Sequence, residues 1–94
     1  MILEIQRGLA KNRERTVSEP MFLVGTGADC DLVLGDPQFS PIHFYLLSKD
    51  GRTSIRRTGN GPEITINGQV KKAGSLADGD RIRTGPYEFT VRAA

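Results

Sequence analysis

Ser40 and His43 stand three residues apart, a hydroxyl and an imidazole close enough in sequence to suggest acid–base chemistry. Nucleophilic catalysis needs a base on the nucleophile and a third group that orients the base, and the sequence offers neither a Ser-His-Asp nor a Cys-His arrangement around them. The favoured role for His43 is therefore structural. Cys30 is the only cysteine and His43 the only histidine, so an intrachain disulfide is impossible and the soft donors of a metal cluster are missing. Nothing beside Cys30 in sequence activates a thiolate, and it reads as a small apolar group before a buried strand. Asp29, Asp31, Asp36, Asp78 and Asp80 lie in separate turns without the alternating spacing and closing Glu of a calcium loop. Gly25, Gly27, Gly59 and Gly61 lack the strand-to-helix setting of a nucleotide loop. No cofactor or metal is implied, and an enzyme is not expected.

Two groups of basic residues remain, Arg7, Lys11, Arg13 and Arg15 near the N-terminus and Arg52, Arg56 and Arg57 near the middle. They read as solvated faces unless the fold carries one of them to a binding loop. Thirteen Lys and Arg against eleven Asp and Glu leave a formal charge of +2, and there are only six aromatic side chains, four Phe and two Tyr. That balance argues against a nucleic-acid partner, which needs a one-sided charge and stacking platforms.

The elements that must hold these residues are short strands. No three-turn stretch has apolar residues at helical spacing free of Gly or Pro. Ile2 to Gln6 and Arg13 to Val17 read as a first pair, Met21 to Val24 and Leu32 to Leu34 as short buried strands, and Ile42 to Leu47 as the most apolar strand. Asp50-Gly51 turns it into Thr53 to Arg57, and Asn67-Gly68 turns Ile64 to Ile66 into Gln69 to Lys71. Arg81 to Thr84 and Tyr87 to Arg92 follow, the last alternating Tyr87, Phe89 and Val91 inward with Glu88, Thr90 and Arg92 outward. Turn signals every eight to twelve residues predict an all-β, antiparallel sandwich or barrel.

The order of landmarks from Phe22 onward resembles the forkhead-associated (FHA) family. Phe22 to Gly25 is similar to its strand ending in Gly-Arg. Cys30-Asp31-Leu32-Val33-Leu34 resembles the strand that follows, and Ser40-Pro41-Ile42-His43 its Ser-x-x-His loop. Asn60-Gly61 and Asn67-Gly68 match its two Asn-Gly turns, and Asp78-Gly79-Asp80-Arg81-Ile82-Arg83-Thr84-Gly85 its Asp-Gly-Asp signature. The resemblance implies an antiparallel β-sandwich of about eleven strands over residues 1–94, a single domain with its binding loops at one end and its termini together at the other. It also implies a protein-binding module for phosphothreonine peptides, set within a longer regulatory or secretion-associated chain, and the single cysteine fits a reducing, cytoplasmic setting. A start as short and as quickly charged as Met1 to Arg7 is not a signal peptide, and no apolar run approaches the ~20 residues of a membrane span. Membrane insertion is not expected.

Carried over residue by residue, the resemblance gives Ser40 as a phosphate donor and Asn60 as the contact to the peptide main chain. His43 becomes a buried strut, and Gly25, Asn67, Gly68, Asp78, Gly79 and Asp80 become structural landmarks. The departures fall on the phosphate. Thr26 stands where the family arginine binds the dianion, Pro41 removes a donor, Gly59 replaces a frequent Thr, with Thr58 able to take over, and Pro62 replaces the Thr after Asn-Gly. Five residues separate Gly61 from Asn67 where three are common. A phosphate dianion wants a guanidinium for charge and paired donors, so the expectation is a phosphate-independent protein-interaction module. The alternative is phosphothreonine binding through Ser40, Asn60 and a substitute basic residue.

Overall fold

A computed structural model describes residues 1–7, 14–17 and 20–93. Eleven strands run in chain order: β1 Ile2–Arg7, β2 Glu14–Thr16, β3 Met21–Gly25, β4 Leu32–Val33, β5 Phe44–Lys49, β6 Arg52–Arg57, β7 Ile64–Ile66, β8 Gln69–Val70, β9 Ala73–Leu76, β10 Arg81–Thr84 and β11 Tyr87–Arg92. They form a six-stranded sheet ordered β2-β1-β11-β10-β7-β8 and a five-stranded sheet ordered β4-β3-β5-β6-β9. Alternation along each strand sends one set of side chains between the sheets. There Leu3, Ile5, Phe22, Val24, Phe44, Leu46, Ile55, Ile64, Ile82, Phe89 and Val91 make one buried cluster, with Phe44 packed edge-on to Phe89 at 6.2 Å.

Both predicted two-residue turns have the backbone their residues favour. Asp50 and Gly51 sit at φ 54° and 73°, Asn67 and Gly68 at 52° and 84°, the doubly positive geometry that lets a hairpin keep its right-handed twist. Ile2 pairs with Arg92, so the start of β1 and the end of β11 lie side by side.

The expected strands need correction in several places. The most apolar strand begins at Phe44, because Ile42 and Pro41 spend their carbonyls on neighbouring loops, and it runs on to Lys49. β4 ends at Val33, and β3 and β4 pair in parallel, Val24 with Leu32 and Gly25 with Val33, so the sandwich is not wholly antiparallel. β8 stops at Val70. β9 carried no signal, since Ala, Gly and Ser neither alternate nor favour strand, and only Leu76 of it is buried. It forms because β6 offers a free edge, along which Thr53 pairs with Leu76 and Arg56 with Ala73.

Candidate functional site

The turns after β3, before β5 and after β6 meet at the end of the sandwich where β10 runs into β11. Thr26 N donates to Ser40 O at 3.1 Å, and Gly27 N and the Cys30 thiol both reach Pro41 O, at 3.0 and 3.1 Å. His43 N donates to Val24 O at 2.8 Å, while Thr58 N and Gly59 N share His43 O at 3.0 and 3.2 Å. The fold therefore gathers Thr26, Ser40, Thr58 and Asn60 into one place, with Gly25 and His43 directly behind them. Asn67, Gly68, Asp78, Gly79 and Asp80 are at the opposite end. There the Asn67 amide donates to Asp80 Oδ1 at 3.0 Å, Arg81 N returns a bond to Asn67 Oδ1 at 3.0 Å, and Ala93 N reaches Asp78 Oδ1 at 2.8 Å.

The hydroxyls that could grip an anion are turned inward. Ser40 Oγ donates to Asn60 O at 2.7 Å, and Thr58 Oγ1 donates to Ile42 O at 3.0 Å. Each hydroxyl has one proton to give, so both loops use it to brace a neighbour. Gly59 explains the closeness. A Cβ there would lie 2.6 Å from the Ser40 Cβ and Oγ, and a threonine at that position would push the two loops apart. Asn60 is exposed, and among the described residues its carboxamide makes no hydrogen bond.

Of the basic residues, Arg57 reaches these loops. It shares the inward face of β6 with Thr53 and Ile55, lies half-buried, and donates from Nη2 to Gly61 O at 2.8 Å. Its Nε is buried without a hydrogen-bond partner. Lys11, Arg13 and the side chain of Arg7 lie outside the described residues. Arg15 in β2 donates to Glu14 O, and Arg52 sits at the far hairpin.

His43 is fully buried. Thr84 Oγ1 donates to Pro62 O at 3.4 Å, so the 2.9 Å contact between His43 Nε2 and Thr84 Oγ1 has the imidazole as donor. That assignment puts the lone pair on Nδ1, which is buried and without a partner. Burial, with the Arg57 charge added to it, pushes the imidazole pKa below its usual value, against a smaller opposing effect of the Pro62 carbonyl. Phe39 stacks edge-on against the ring at 4.8 Å. A neutral, clamped imidazole 0% exposed is placed to hold three segments together, not to exchange protons with a ligand.

Sequence reasoning missed Thr84 and Phe39, which complete this strut. Thr84 had a signal, since it is on the same inward face of β10 as Ile82. Cys30 is also corrected: it is half-buried and hydrogen-bonded to Pro41 O, not packed as an apolar group. Burial, with Asp31 and Asp29 adding to it, pushes its thiol pKa up against a lowering Gly27 backbone hydrogen bond, which keeps the proton that makes this bond.

This architecture is shared with solved FHA domains. The chain aligns with the FhaA FHA domain, crystallised in complex with the intracellular domain of Rv3910, at TM-score 0.85 and 25% identity, covering 97% of this chain and 98% of that one. It aligns equally well, at TM-score 0.85 and 26% identity over 99% and 95% of the two chains, with a domain described under phosphothreonine-dependent FHA domain interactions. The cytoplasmic domain of the T3SS sorting platform protein PscD from P. aeruginosa has the same fold, at TM-score 0.79 and 22% identity over 95% of this chain and 76% of that chain. No curated protein matches in sequence. The two sheets, the loop end and these likenesses define an FHA domain, a class of interaction modules. Residues 4–94 match the family described as the inner membrane component of T3SS, cytoplasmic domain, and the chain belongs to that family.

Proposed function

We propose that residues 1–94 act as one cytoplasmic FHA-type module that binds a partner protein through its loop end without requiring phosphate. One observation carries this reading: where the resemblance calls for an arginine there is Thr26, and the hydroxyls of Ser40 and Thr58 already donate to Asn60 O and Ile42 O. A dianion would have to break those braces and would find no guanidinium at position 26 to compensate its desolvation. The exposed carboxamide of Asn60 is left to read a main chain, which needs no charge.

A second reading has one observation in its favour. Arg57 brings a guanidinium under the loop that contains Asn60 and keeps a buried Nε without a partner, so release of Gly61 O would free it for a phosphothreonine. Binding of a degenerate phosphothreonine peptide library and its unphosphorylated twin, at low and near-physiological salt, separates the two. Equal or absent binding supports phosphate independence, and selective binding that survives salt overturns it. Thr26→Arg supplies the missing cation, and if the loop geometry is otherwise that of the family it creates or strengthens phosphothreonine binding. It is expected to raise phosphothreonine affinity by about ten- to a hundred-fold, the value of hydrogen bonds to a charged group.

A further inference from the structure

The outer faces of the two sheets differ in kind. On the six-stranded sheet the outward positions are mostly polar, with Arg92 bridging Glu4 and, at 3.0 Å, Glu14, and the exposed Val70 stands apart in the edge strand β8. On the five-stranded sheet the pairing register sets Met21 beside Leu47 and Leu23 beside Tyr45 on the outward face, the first pair exposed and the second half-buried. Met21 is 43% and Leu47 38% exposed. The next strand continues these rows with Ser54 and Arg56, and β9 with Ser75 and Ala73. Small side chains thus leave a shallow trough, lined toward the far hairpin by Leu47, Lys49, Asp50, Arg52, Thr53, Ser54 and Ser75. Lys49, Arg52 and Arg56 are exposed, and among the described residues their side chains make no ion pair or hydrogen bond.

We infer that this face of β3, β5 and β6 is a second docking surface, and that its occupant is an amphipathic helix of a partner protein with acidic residues along one flank. Strands lie about 4.8 Å apart, so a helix about 10 Å across covers the apolar pair β3 and β5 while its flank reaches β6. Carboxylates there would meet Arg56 and Arg52. Met, Tyr and Arg together, here with Tyr45 directly opposite Arg56, are the side chains enriched in interface cores. A second copy of this face is a poor occupant, because it would bring Lys49, Arg52 and Arg56 against their own kind. The inference does not rest on phosphate independence, since none of these outward side chains is a candidate phosphate contact.

The test is selection of phage-displayed random 16-residue peptides on the domain, with Leu47→Asp and Arg56→Glu variants as counter-targets. Both positions are exposed, and Arg56→Glu keeps a long polar side chain should Leu47→Asp unfold the sheet. The expected peptides combine helical apolar spacing with Asp or Glu, bind Arg56→Glu at least tenfold more weakly than wild type, and bind Asn60→Ala as wild type. In an amide NMR spectrum they shift Leu23, Tyr45, Leu47 and Arg56. Failure to enrich any peptide, or enrichment of peptides that bind the Arg56→Glu variant equally or shift the loop residues instead, overturns the inference. A phosphothreonine-selective outcome in the loop experiment leaves it standing.

Discussion

Gly25 is needed for close approach, not for backbone freedom. A Cβ there would lie 2.2 Å from Pro41 O, and it is this closeness that lets Thr26 and Gly27 bond across to the next loop. Gly25→Ala is expected to cost about 1–3 kcal/mol by overpacking, read as a lower urea midpoint, and to disturb Ser40 and Pro41 in NMR spectra before the core. His43 gives the residue-scale dependence on pH. Its folded pKa is depressed by burial and Arg57, so below about 6.5 the unfolded chain takes up a proton that the folded one refuses. Stability is then expected to fall as pH drops through that value, and thermal unfolding of His43→Gln between pH 7.5 and 5 should lose this part of the slope. An unchanged slope would show that His43 carries none of it.

Short elements are held by specific turn chemistry more than by length. Asn67 accepts a positive φ of 52° and ties β7 to the Asp80 turn through its amide and its carbonyl oxygen. Asn67→Ala loses both bonds and adds left-handed strain, with an expected loss of about 1–3 kcal/mol in chemical denaturation. Asn67→Gly should recover the strain alone. This hairpin was legible because Asn-Gly dictates its own geometry, as did the strict alternation of Tyr87, Phe89 and Val91. β9 was not, because its pairing comes from the edge of β6 and its own residues carry little preference. The parallel pairing of β3 with β4 was equally hidden, since two residues contain no trace of direction.

At the scale of the whole molecule, one buried cluster spans both sheets, and its aromatic centre should dominate stability. Phe89→Ala is expected to cost about 3–5 kcal/mol, against under about 0.5 kcal/mol for Val70→Ala at a 59% exposed position, both measured by urea unfolding. The sequence by itself determined the all-β class, the turns, the inward face of each long strand and the absence of an arginine at position 26, because these are local properties of residue type and alternation. Only the tertiary structure decided that Ser40 and Thr58 spend their protons on neighbouring loops, that Arg57 reaches Gly61, and that the outward sides of β3, β5 and β6 combine into one apolar and basic face. Those are meetings between segments up to some twenty residues apart or on different strands, and their distances are set by packing, which no single stretch of chain encodes.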